Sequence, residues 1–85
     1  METVKVYQIG LGSFGRNGFE KLVELHRYFG KVDVELKGVC DRDFERLDEA
    51  EKFAEANDIF VETFQDIEEM YEAAKKEKGT VMIYD

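Results

Sequence analysis

The stretch VKVYQIGLGSFG, residues 4–15, decides the fold of this 85-residue chain. Its first six residues are rich in β-branched side chains and predict a short strand over 4–9. The next six have the pattern Gly-x-Gly-x-x-Gly. From Ser13 onward apolar residues recur at intervals of three and four, which predicts a helix over 13–29 that ends at Gly30. The glycines therefore form a turn between a strand and a helix.

The same two patterns alternate along the rest of the chain. Further strands are predicted over 32–40, 59–64 and 80–84, with helices between them. Strands separated by helices pair in parallel through right-handed crossovers. We therefore expect an α/β, Rossmann-like half domain with the element order β-α-β-α-β-α-β. Its four parallel strands should lie in the order 3-2-1-4, with helices one and two on one face and helix three on the other.

Capping residues define the second and third helices. Asp43 is the predicted N-cap of a helix that runs to about Ala56, and Asn57 is a suitable last residue because it tolerates positive φ. Asp66, with an acid three residues later, resembles a capping box at the start of the third helix, and Gly79 is predicted to end that helix. The inner faces are predicted to comprise Leu47, Ala50, Phe53 and Ala54 in the second helix, and Ile67, Met70, Tyr71 and Ala74 in the third.

Composition and charge limit the classes of function. The chain has 20 acidic and 12 basic residues and a net charge of −8, without a basic stripe, which disfavours binding to nucleic acid or to an anionic membrane. No apolar run approaches the length of a membrane span, and the first residues do not resemble a signal peptide. The single cysteine, Cys40, cannot form an internal disulfide and fits a reducing compartment. We expect a cytoplasmic protein.

Each glycine of the motif has a physical task in binding a dinucleotide. Gly10 allows the tight turn, Gly12 lets the backbone approach a pyrophosphate, and Gly15 lets the helix pack closely on the strand. Free amides at the helix start face the phosphates, aided by about half a positive charge from the helix dipole. The alternative is a plain glycine turn. The predicted cofactor-binding loop consists of Gly10, Leu11, Gly12, Ser13, Phe14 and Gly15.

Asp41, at the end of the second strand, is the second element of the predicted site. An acid at this position accepts hydrogen bonds from the ribose hydroxyls of adenosine, although a helix cap or a solvated loop acid is the alternative. Its carboxylate would repel a 2′-phosphate, which points to NAD as the cofactor. Arg42 leaves NADP open, because an arginine in this loop could turn toward that phosphate.

Other candidates for a functional site are weaker. Cys40 is better explained as a small buried residue than as a nucleophile, since no histidine lies near it in the chain. His26, the only histidine, is better explained as a partly covered helix residue. The carboxylates of helices two and three fit a solvated face better than metal ligation. An S-adenosylmethionine site would share the glycine turn and Asp41, but the first strand lacks the acid usual before that motif.

Four stretches, 6–16, 34–43, 63–70 and 81–84, together resemble the amino-terminal domain of the Gfo/Idh/MocA oxidoreductase family. The resemblance implies a two-domain enzyme that moves a hydride between NAD or NADP and a sugar, polyol or related alcohol. It also implies that the cofactor is bound by Gly10, Gly12, Ser13, Phe14, Gly15, Asp41 and Arg42. Homoserine dehydrogenases have a similar Gly-Leu-Gly-x-x-Gly-Arg opening, which leaves the family open.

The family's catalytic lysine lies in a Glu-Lys-Pro motif after the fourth strand, and this chain contains no proline. Gly18 is a further departure, because the family often has a histidine there. We therefore expect residues 1–85 to be an incomplete dinucleotide-binding domain, without catalytic residues and without the substrate domain. A free-standing dinucleotide-binding or interaction module is the alternative. In either case the edge of strand four, or an exposed sheet face, is expected to mediate self-association.

Overall fold

A computed structural model of the chain describes residues 3–29 and 34–84. The elements are β1 (Val4–Ile9), α1 (Ser13–Phe29), β2 (Val34–Cys40), α2 (Phe44–Ala56), β3 (Glu62–Phe64), α3 (Ile67–Lys75) and β4 (Val81–Tyr84). The strands form one parallel sheet in the order β3-β2-β1-β4, as predicted from the sequence. The predicted end of α1 at Gly30 and the predicted start of β2 at Val32 lie outside the described residues.

The two faces of the sheet carry separate hydrophobic clusters. Helices α1 and α2 cover one face, where the buried residues are Val6, Leu11, Phe19, Val23, Leu36, Val39, Leu47, Ala50, Ala54, Ile59 and Val61. Helix α3 covers the other, where they are Tyr7, Cys40, Phe64, Met70 and Ala74. The predicted distribution of helices and the predicted inner face of α2 are confirmed, with Phe53 partly buried. No helix in the described ranges is long and apolar enough to cross a membrane.

Strand β3 is shorter than the predicted 59–64 and begins only at Glu62. Residues Ile59 and Val61 are buried, but the amide of Ile59 donates to the carbonyl of Ala54 at 2.9 Å. That amide closes the end of α2 and is therefore not available to a strand ladder. Asn57 has a φ of −107° and the positive φ of 60° belongs to Asp58, so the predicted left-handed residue is one position later.

Helix α3 begins as predicted, because the carboxylate of Asp66 accepts from the amide of Glu68 at 3.0 Å. It ends at Lys75 rather than at Gly79, which has a φ of +88° and lies in the turn before β4. The early end has a physical reason in Glu77. This carboxylate turns to the sheet, where it accepts from the hydroxyl of Tyr7 at 3.1 Å.

The predicted inner face of α3 is half wrong. Met70 and Ala74 are buried, but Ile67 and Tyr71 are 39% and 40% exposed. These two residues are four positions apart and so lie on one side of the helix. Tyr71 lies beside β3, the edge strand, which spans only three residues and leaves little sheet to cover that side.

A polar cluster covers the part of the sheet that the short helix α3 leaves uncovered. The ammonium of Lys5 lies 3.4 Å and that of Lys37 lies 3.5 Å from the carboxylate of Glu77. Burial, with the hydrogen bond to Glu77 and the charge of nearby acids, raises the pKa of Tyr7 to about 12. Charged side chains, rather than bare apolar ones, therefore occupy this face near the start of β1 and β2.

Gly38 makes room for two aromatic rings on the α3 face. The register between β1 and β2 shifts after Val6, so that Tyr7 lies opposite Gly38. A Cβ at this glycine would lie 2.9 Å from Cδ2 of Tyr7 and 3.0 Å from Cε2 of Phe64. Both distances are too short for carbon atoms, so the ring of Tyr7 packs here only because residue 38 has no side chain.

Gly38→Ala is expected to lower the free energy of unfolding by about 1–3 kcal/mol, because two buried rings would have to move. Chemical denaturation followed by circular dichroism measures the change. Gly12→Ala is the matched control, since a Cβ at Gly12 meets no atom within 4 Å and this variant should be close to the parent in stability. Equal stability of the two variants would contradict the packing argument.

Candidate nucleotide-binding site

The glycine loop leaves β1 in a conformation that requires glycine. Gly10 has a φ of +90°, a region that residues with a side chain rarely adopt. Its amide donates to the carbonyl of Cys40 at 2.8 Å, so the end of β1 stays joined to the end of β2. The chain then turns into α1, where the amide of Arg16 donates to the carbonyl of Gly12 at 2.7 Å.

Gly15 allows the two ends of the loop to touch. A Cβ on this residue would lie 2.4 Å from the carbonyl oxygen of Gly10 and 2.9 Å from its carbonyl carbon. Backbone atoms at these distances cannot give way without moving the loop. The close packing predicted for this third glycine is therefore present.

Gly12 faces open space, in contrast to Gly15. A Cβ built on it would meet no atom within 4 Å. The backbones of Ser13 and Phe14 follow it directly and open α1, whose first amides have no acceptor within the helix. The loop thus has backbone donors next to a glycine whose Cβ position is open.

The start of α1 also differs from the starts of α2 and α3 in charge. The other two helices have an aspartate N-cap and at least one acid in the first turn, whereas α1 has no acid in its first turn. Arg16 lies there instead, 2.8 Å from Glu49 and 3.2 Å from Glu20. No acid in the first turn of α1 therefore neutralises the positive end of its helix dipole.

Asp41 joins the loop to the end of β2. Its Oδ2 accepts from the amide of Leu11 at 2.7 Å and its Oδ1 accepts from the amide of Asp43 at 2.8 Å. Asp43 itself caps α2 by accepting from the amides of Glu45 and Arg46. Asp43 is therefore the N-cap of α2, as predicted. Asp41 has a structural role at the loop that the sequence did not indicate. A carboxylate has about four acceptor positions, so further hydrogen bonds to Asp41 remain open.

An open cleft of about 580 Å³ lies at the carboxyl ends of the strands, beside the loop. Its lining combines the predicted acid with apolar and polar residues from β1, β2 and the start of α3: Ile9, Gly10, Cys40, Asp41, Arg42, Gln65, Asp66 and Ile67. The side chain of Arg42 is exposed. Ile67, predicted to face the core, instead lines this cleft.

Two other polar candidates do not add a reactive group to the site. Cys40 lines the cleft but is buried, and this burial, together with the charges of Asp41 and Asp66, raises the pKa of its thiol. A protonated thiol is a poor nucleophile. His26 is buried late on α1 and lines a different cleft, together with Lys37 of β2.

Sequence reasoning missed Gln8, which is fully buried next to the loop. Its Nε2 donates to the carbonyl oxygens of Gly10 at 3.0 Å and of Gly15 at 2.6 Å. The signal in the sequence was a lone polar residue in an otherwise apolar strand end, directly before the glycine motif. A polar side chain at such a buried position is expected to form hydrogen bonds with neighbouring groups.

Comparison of the chain with protein-family models finds no match, and comparison with curated protein sequences finds none either.

Asp41→Asn is expected to loosen the loop. The two carboxylate oxygens of Asp41 accept from the amides of Leu11 and Asp43, whereas asparagine has only one side-chain oxygen. The free energy of unfolding should fall by about 1 kcal/mol, and the amide of Leu11 should exchange faster with deuterium. Asp43→Asn is the control, since asparagine caps helices as well as aspartate does. Unchanged exchange at Leu11 in the Asp41→Asn variant would refute the tether.

Proposed function

We propose that this chain is the nucleotide-binding portion of an NAD(P)-dependent oxidoreductase and that it binds the adenosine diphosphate half of the cofactor. The observation that carries the proposal is the junction of two features: a glycine loop open at Gly12, and an acid at the end of β2, Asp41, hydrogen-bonded to that loop. A plain turn needs neither an open Gly12 nor an acid at its side. Both features serve a ligand that has a pyrophosphate and a ribose.

The pyrophosphate would be held by backbone donors. The amides at the start of α1 have no partner in the helix, and Gly12 has no side chain to keep a phosphate away. The net charge of −8 opposes an anionic ligand, but screening limits that effect to about 8 Å at physiological salt. Local backbone donors therefore decide the binding of the phosphates.

The ribose would be held by Asp41, which is partly exposed and lines the cleft. Its carboxylate keeps acceptor positions for two hydroxyl groups while it accepts from Leu11 and Asp43. Ile9 and Ile67 line the same cleft and supply apolar surface of the kind on which a base packs. This portion of the chain would bind and orient the cofactor, and the cofactor supplies the hydride-transfer chemistry.

The charges in the cleft favour NAD over NADP. A unit charge on a 2′-phosphate roughly 4 Å from Asp41 would be repelled by about 4 kcal/mol at the dielectric of a protein surface. Asp66 lines the same cleft and adds negative charge, whereas Arg42 opposes it. We propose NAD as the preferred cofactor, a sugar, polyol or related alcohol as the substrate class on the basis of the family resemblance alone, and a cytoplasmic location.

Calorimetric titration of the purified chain with NAD, NADP and ADP-ribose tests the proposal. NAD and ADP-ribose should bind with similar affinity, because the chain contacts their shared half, and NADP should bind at least about tenfold more weakly. Gly12→Val should abolish binding without unfolding the chain, because a Cβ here points into open space.

Three outcomes would count against this function or its details. A folded Gly12→Val variant that binds as before would reduce the loop to a turn, and a parent chain that binds none of the three ligands would refute the function. NADP binding that equals or exceeds NAD binding, and that falls in an Arg42→Ala variant, would assign the cofactor choice to Arg42 instead of Asp41.

We also propose that copies of the chain associate through β4. This strand pairs with β1 on one side, and no other strand of the described ranges covers its second edge. Val81 and Ile83 are partly buried against the α3 face, whereas Met82 is 48% exposed on the opposite face. An open strand edge with an exposed apolar side chain is a template for pairing with another chain.

Sedimentation velocity over a concentration series is expected to show a dimer that dissociates on dilution. Met82→Lys should shift the distribution to the monomer, because a charge on an open strand opposes edge-to-edge pairing. The exposure of Met82 means that the fold tolerates this change. A parent chain that stays monomeric at high micromolar concentration would overturn the proposed association.

A further inference from the structure

Gln8 connects the two ends of the glycine loop through a single side-chain amide. It is the fifth residue of β1 and is fully buried. Its Nε2 donates to the carbonyl oxygen of Gly10 at 3.0 Å and to that of Gly15 at 2.6 Å. Both partners are acceptors only, so the nitrogen of the amide, and not its oxygen, must face them.

Packing alone does not account for glutamine at this position. Its Oε1 is buried and accepts no hydrogen bond from the described part of the chain. A buried acceptor without a partner lowers the stability of the fold, and a methionine of similar shape would avoid that loss. Val6, two residues earlier on the same face of β1, is apolar and fully buried. The presence of glutamine here is therefore explained by the two carbonyl oxygens to which its Nε2 donates.

We propose that Gln8 is a positioning residue that fixes the glycine loop in its phosphate-binding shape before a nucleotide arrives. The donated hydrogen bonds keep the carbonyls of Gly10 and Gly15 directed to the interior and reduce the negative charge that these oxygens present to an anion. Asp41 holds the same loop from the other side, through the amide of Leu11. A loop that is held by Gln8 and by Asp41 has less conformational freedom to lose on binding a ligand than a loop without these hydrogen bonds.

The structural part of this proposal stands on the hydrogen bonds, and its consequence for affinity rests on the proposed function. Gln8→Met separates the two, because it keeps the shape of the side chain and removes the donor. Val6→Ala is the matched control, since it weakens the core on the same face of β1 without touching either carbonyl. The stability of each variant is measured by chemical denaturation, so that a general loss of stability is recognised.

Hydrogen exchange followed by NMR, without nucleotide, tests the positioning role directly. In the parent chain the side-chain amide protons of Gln8 should exchange slowly, as expected of buried donors. In Gln8→Met the backbone amides of Gly10 and Arg16, which are hydrogen-bonded in the loop, should exchange faster than in Val6→Ala, even when the two variants are equally stable. Equal exchange at these amides in both variants would overturn the proposal.

Titration with ADP-ribose tests the consequence. Gln8→Met is expected to bind about tenfold more weakly than the parent, and Val6→Ala is expected to bind as the parent does, provided that it is folded. Parent-like affinity of the Gln8→Met variant would also overturn the role of Gln8 in binding. If the parent binds no nucleotide while the loop amides still loosen in Gln8→Met, the proposed function fails and the positioning role stands.

Discussion

The carbonyl of Gly10 and the α-carbon of Gly15 lie against each other, and the remaining architecture depends on this contact. A Cβ on Gly15 would come within 2.4 Å of the Gly10 oxygen, so any larger residue would push the start of α1 away from the end of β1. Helix α1 could then no longer bring Phe19 and Val23 onto the sheet, where both are buried to 1% exposure or less. The hydrophobic cluster between the sheet and helices α1 and α2 therefore depends on this backbone contact.

The order of the elements could be predicted because each one has a clear local signal. The β-branched run of β1, the aspartate caps Asp43 and Asp66, and the apolar intervals of α2 all act within a few residues. The start of β3 and the end of α3 could not be predicted, because they depend on partners that the local sequence does not indicate. Ile59 gives its amide to the end of α2, and Glu77 turns to Tyr7, 70 positions away in the chain.

The candidate site could likewise be predicted only in those parts that have a local sequence pattern. The glycine pattern and the acid after β2 follow from the sequence, and the structure brings them together, although nucleotide binding itself stays a prediction. The hydrogen bond from Leu11 to Asp41 joins residues 30 positions apart, and no local pattern indicates it. Ile67 shows the same limit, since it lines the cleft although its position in the apolar pattern of α3 predicts a core residue.

The hydrogen bonds that Asp41 accepts restrict how this sequence can change over evolutionary time. If this acid contacted only a ligand, one substitution could change the choice of ligand and leave the loop as it is. Here the carboxylate accepts from the amide of Leu11, so removing it would also free the loop. A lineage that replaced Asp41 would first need another acceptor for that amide, and the order of its mutations would therefore be constrained.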